Sequence, residues 1–147
     1  MGAPRWIAPT RGFLWIAERD DSGPWLEWRG PGGALVKRLT PPGLRVAKLL
    51  AVDSTRALAY VEGCDDPREQ HVWKVDLAGR RAPQRLGREV GLESAVFSAD
   101  GALRLRTVTP QHGAATRTVE DVNGRVLATL RSLAESPERE PVGEWTW

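Results

Sequence analysis

The sequence predicts an all-β chain, and three observations predict it. A unit of about 45 residues recurs: Leu14, Leu58 and Leu103 stand 44 and 45 residues apart, each followed by an alternating strand, a polar loop, a second strand, a glycine-containing turn and a third strand. Eleven prolines and fifteen glycines cut the 147 residues into short pieces, a pattern of many turns. No segment beyond Ala128–Glu135 shows apolar residues at helical spacing. The length of the repeat matches a four-stranded blade. The expectation is therefore a partial β-propeller of about three four-stranded antiparallel blades, over residues 5–40, 44–87 and 93–131.

In the first unit, Arg5-Trp6-Ile7-Ala8 is a short opening strand beside prolines. Phe13 to Ala17 is a strongly apolar strand, and Glu18 to Pro24 a loop. Trp25-Leu26-Glu27-Trp28 follows, then a turn at Gly30-Pro31-Gly32-Gly33 and a closing strand from Ala34 to Leu39. In the second unit the strands are Val46–Val52, Ala57–Val61, His71–Leu77 and Ala82–Leu86. His71, Trp73, Val75 and Leu77 share one face by the period of two. Pro83 restricts the last of these strands to an edge. In the third unit, Ala95-Val96-Phe97 and Leu103-Arg104-Leu105-Arg106 flank Asp100-Gly101, where glycine accepts a positive φ without steric cost, and the strict alternation of the second strand gives it one wet face. Ala115–Glu120 and Arg125–Leu130 flank Asn123-Gly124, the sequence of a type I′ turn. Residues 1–131 thus form the partial propeller, and 132–147 read as a linker and the start of a further strand at Glu144-Trp145-Thr146-Trp147.

The chemistry-bearing residues are sparse, and no catalytic, cofactor-binding or metal site is assigned. Gly91-Leu92-Glu93-Ser94-Ala95 lacks the spacing of a nucleophile elbow and leads into a strand. His71 lies in a strand beside apolar residues and reads as structural; His112 lies in a polar loop. Asp20-Asp21 and Asp65-Asp66 read as turn formers. The single cysteine, Cys64, excludes an internal disulfide and supplies too few thiolates for structural zinc. Its neighbour Asp65 disfavours a thiolate. Trp15, Trp25, Trp28 and Trp73 fall in strands, where packing between sheets is their expected use. The net charge of +2 is scattered over both signs, unlike the one-sided basic face of a nucleic-acid binder. No apolar run reaches the roughly 20 residues of a membrane span. Met1 to Trp6 lacks the apolar stretch of a secretory signal, and compartment is not legible.

Several segments are similar to consecutive blade strands of one family: FLWIAERDD (13–21), ALVKRLT (34–40), LAVD (50–53), CDDPREQHVWKVDL (64–77), VFSADG (96–101) and NGRVLATL (123–130). Over about residues 11–131 the chain resembles the last three blades of the dipeptidyl peptidase IV N-terminal propeller, in its bacterial style. The resemblance implies an eight-bladed propeller capping an α/β-hydrolase domain that carries a Ser/Asp/His triad. It implies removal of di- or tripeptides from peptide N-termini, with proline or alanine beside the cut. No position here matches the triad or the family's paired substrate-binding glutamates, and neither Glu18 nor Glu69 is assigned to that pair. Arg104 and Arg106 depart from the aromatic or small residues of the family pattern. The implied partners are the missing blades and hydrolase domain of the same protein, and a peptide substrate, in a bacterial periplasm or cytoplasm. A free-standing partial propeller that self-associates and binds protein or peptide is the alternative, with a TolB-like scaffold as a third reading. No cofactor is implied.

Overall fold

The structure, a computed structural model, describes residues 4–8, 11–18 and 23–131. The predicted linker and strand at 132–147 and the pair Asp20-Asp21 lie outside the described residues. Among the described residues, twelve strands make three sheets, each an antiparallel meander in chain order. The first sheet holds β1 (Arg5–Ala8), β2 (Gly12–Ala17), β3 (Trp25–Arg29) and β4 (Leu35–Arg38). The second holds β5 (Arg45–Asp53), β6 (Leu58–Cys64), β7 (His71–Asp76) and β8 (Gln84–Arg85). The third holds β9 (Leu92–Phe97), β10 (Leu103–Thr109), β11 (Thr116–Asp121) and β12 (Val126–Leu130). No helix occurs among the described residues. The architecture is a partial β-propeller.

Alternation decides which face each strand offers. In β2 and β3, Leu14 and Leu26 point at the second sheet and are fully buried; in β6 and β7, Ala59, Val61, Trp73 and Val75 meet them. Leu39, Leu44, Val46 and Leu77 complete this apolar core. Full burial of a leucine contributes about 1.5–3 kcal/mol, so this seam is held chiefly by removal of apolar surface from water. A backbone bond ties its rim, Val46 N donating to Pro24 O at 2.7 Å, and within the first sheet Leu39 N donates to Leu26 O at 2.8 Å. The alternate residues of β6 face the third sheet, where Tyr60 packs on Phe97 with ring centroids 4.6 Å apart.

The same turn closes the last hairpin of two sheets. Gly33 N donates to Gly30 O, and Gly30 N to Ala34 O; Gly124 N donates to Asp121 O, and Asp121 N to Arg125 O. Gly33 and Gly124 have φ of 84° and 89°. In the second sheet, Gly79 N donates to Asp76 O and Gly79 has φ of 63°.

Three sequence expectations need correction. Asn123-Gly124 does not form a type I′ turn, because Ala57 is the only described non-glycine residue with positive φ. The loop is a type I turn followed by a left-handed glycine, an arrangement suited to three-residue loops. Leu14 is out of phase with Leu58 and Leu103. Leu58 pairs with Asp76 and Leu103 with Asp121, each three residues before the turn glycine. The corresponding position beside Gly30 is Gly12, next to the Phe13–Arg29 pair. A Cβ at Gly12, whose φ is 95°, would overlap the Arg29 carbonyl, so the leucine of the other units cannot stand there. Finally, β8 contains only Gln84 and Arg85, since Pro83 has no N–H to extend the ladder.

Candidate functional site

The seam between the second and third sheets differs in kind from the first. Leu92 begins β9 beside Gln70: Gln70 N donates to Gly91 O at 3.2 Å and Glu93 N to Gln70 O at 2.7 Å. This places Glu93, only 3% exposed, against β7. The β-period of two puts Arg104 and Arg106 of β10 on the same face, with Glu120 of β11 opposite Arg104.

These side chains form one continuous chain of ion pairs. Arg104 donates to Glu120 through Nε at 2.8 Å and Nη2 at 2.6 Å. Thr118 Oγ1 supplies a further donor to Glu120 at 3.1 Å. Arg106 lies 3.5 Å from Glu120, donates from Nε to Glu93, and reaches Glu89 from Nη2 at 2.5 Å. Burial opposes the Arg106 charge, but Glu93 and Glu89 more than restore it and hold its pKa above the ordinary value. Glu93 Oε2 also accepts from Val72 N at 3.4 Å and stands 3.5 Å from His71 Nδ1.

His71 is completely buried at the end of this chain. Arg85 Nη2 lies 3.0 Å from its Nδ1, and Glu69 Oε2 lies 2.6 Å from its Nε2. A guanidinium can only donate, so Nδ1 accepts, and the hydrogen sits on Nε2 and goes to Glu69. Both ring nitrogens are thereby engaged, and neither is free to take a proton from a nucleophile. The arrangement locks strands together; it is not built for acid–base turnover.

The remaining residues singled out in the sequence are scattered. Asp66 accepts from the backbone and side chain of Arg68, which hold its carboxyl down at about 2. It is a turn former. Asp65 and His112 are exposed, and Cys64 is half-buried and free. Ser94 stands within β9. Trp73 is in the core with Trp28 against it. Trp25 is on the opposite face of the first sheet, under the Arg38 guanidinium at 4.3 Å, and its Nε1 donates to buried Glu27 at 3.3 Å. No spacing or motif in the sequence discloses the ion-pair chain. Its one sequence signal was the pair Arg104 and Arg106, on the alternating face that the strand pattern marks as wet.

Three four-stranded antiparallel meanders, joined by one apolar and one ionic seam, define a segment of a β-propeller. The model of the dipeptidyl peptidase IV (DPP IV) N-terminal region matches residues 3–112. The chain belongs to that family. Among solved structures it is similar to Porphyromonas gingivalis dipeptidyl peptidase 4, with a TM-score of 0.74 and 24% identity over 88% of this chain. It is also similar to TolB from Acinetobacter baumannii, with a TM-score of 0.63 and 20% identity over 92% of this chain. The chain spans 18% of the length of the first and 34% of the second. At these identities both likenesses speak to the fold.

Proposed function

We propose that this chain is the non-catalytic propeller portion of a dipeptidyl-peptidase-IV-like serine exopeptidase. In that role residues 5–40, 44–87 and 93–131 are consecutive blades. They gate and position peptide substrates for an α/β-hydrolase domain that these residues do not include. Membership of the family over residues 3–112 carries this reading. The open outer faces support it. On the third sheet, Val96 is 70% exposed and joins Leu103, Leu105 and Val119 in an apolar groove of about 280 Å³. On the first sheet, Trp6 is exposed and stacks edge-on against Phe13, 5.2 Å away. Such faces suit further blades on either side.

The test is the DNA that continues the reading frame. A downstream G-x-S-x-G with Asp and His after it supports the proposal, and a stop with no hydrolase domain defeats it. The isolated chain is expected to leave Gly-Pro and Ala-Pro chromogenic substrates uncut. The same two open faces favour a second reading, a partial propeller that closes by self-association; a native mass of several chains would support it.

A further inference from the structure

A second feature lies at the β8 edge of the second sheet and is independent of the peptidase reading. Because β8 is only two residues long, β7 loses its neighbour beyond Lys74. The chain between Asp76 and Gln84 therefore swings away and leaves a cleft of about 410 Å³. Arg56, Lys74, Arg80 and Arg81 line it, with Asp76 the only acid. That volume is within the range of small-molecule sites.

The acid offsets only part of this charge. Asp76 Oδ1 accepts from Ala78 N at 2.9 Å and Oδ2 from Arg80 N at 3.1 Å, so both oxygens are turned to the loop backbone. Lys37 of the first sheet pins the same loop, donating from Nζ to Ala78 O at 3.1 Å and to Gly79 O at 3.2 Å. Arg56 is paired with Asp53 at 2.9 Å. Among the described residues, Lys74, Arg80 and Arg81 make no ion pair. A loop fixed at both ends thus presents a concavity lined by Lys74, Arg80 and Arg81 against the single carboxylate of Asp76, an excess of positive charge that an anion relieves. Guanidinium groups match phosphate oxygens in bidentate fashion.

We infer that this cleft binds a soluble small molecule carrying adjacent phosphate groups, with Arg80 and Arg81 as the principal contacts and Lys74 beneath them. The probe is pyrophosphate, titrated into the ¹⁵N-labelled chain at constant ionic strength set with chloride. Saturable shifts confined to Arg56, Lys74 and residues 78–84 are expected. Arg80→Ala with Arg81→Ala should weaken binding at least tenfold, and reversal of both to glutamate should abolish it. Arg117→Ala, an exposed arginine on β11, should leave it unchanged. Both loop arginines are exposed, so the variants should keep the wild-type spectrum elsewhere. Shifts spread over all basic residues, equal weakening by Arg117→Ala, or no saturation at 10 mM pyrophosphate on the order of weak metabolite affinities would overturn the inference. So would binding only to vesicles that contain phosphatidic acid, since that places the phosphate on a membrane.

Discussion

Glu93 shows how one side chain can bear on two sheets. It is buried, and it takes hydrogen bonds from Arg106 and from the backbone of Val72. Glu93→Ala would leave Arg106 buried beside one fewer carboxylate, and breaking one side of a buried pair costs about 3–5 kcal/mol. Replacing both partners with apolar residues of similar size, Glu93→Leu with Arg106→Met, should cost markedly less than Glu93→Ala alone. Urea titrations of the two variants check this, and equal losses would show that the pair contributes nothing specific. A backbone constraint operates at Gly12, where φ is 95° and any Cβ meets the Arg29 carbonyl. Gly12→Ala should destabilise by about 2 kcal/mol, the scale of a forced left-handed residue together with a local shift. The sequence did not disclose this glycine as the one that breaks the leucine repeat. Spacing alone chose Leu14, and only the pairing of β2 with β3 exposes the phase error.

At the scale of elements, the hairpin turns are set by aspartates that cap their own loops. Burial opposes the ionised form of Asp53, but the Arg56 backbone and side chain hold its carboxyl below the ordinary value. Ser98 and the Ala102 amide do the same for Asp100, and the amides of Arg125 and Asn123 for Asp121. A carboxyl depressed in the folded state contributes stability above its unfolded pKa of about 3.9 and loses it as pH falls through the folded value. Unfolding midpoints should therefore fall as pH drops below about 4. Glu62 runs the other way: burial raises its pKa, although Lys48 and the Ala95 backbone oppose this. Its charge is a penalty at neutral pH that protonation removes. Glu62→Gln should raise the urea midpoint at pH 7, and the gain should shrink as pH falls through the raised Glu62 pKa. A pH-independent difference would refute that assignment. These turns were largely legible, because Asp-Gly and Gly-rich dipeptides carry their own backbone preference. The exact turn type at Asn123-Gly124 was not. Type I′ and type I followed by a left-handed glycine both accept that dipeptide, and the strand register chooses between them.

For the whole molecule, the two seams imply different responses. The first is apolar and the second ionic, while the outer faces remain open. Val96 is 70% exposed at the centre of the third sheet's apolar groove. Val96→Glu should therefore cost the isolated chain little stability while lowering any self-association. Sedimentation at several concentrations checks this. An unchanged mass distribution would place the contacting surface elsewhere.

The sequence by itself determined the all-β class, the order of the strands, the repeat of about 45 residues and the family. These rest on local periods, on turn residues and on segments read in chain order, none of which needs a distant partner. Tertiary structure alone decided what joins the sheets. Alternation marks one face of β10 as wet, but the pairing of β9 with β10 sets Glu93 diagonally beside Arg106, β11 sets Glu120 opposite Arg104, and the β7–β9 junction lays the second sheet over them. A wet face in one strand became a buried salt-bridge seam, because strand pairing supplies the compensating carboxylates and the second sheet covers them, and spacing along the chain sets neither.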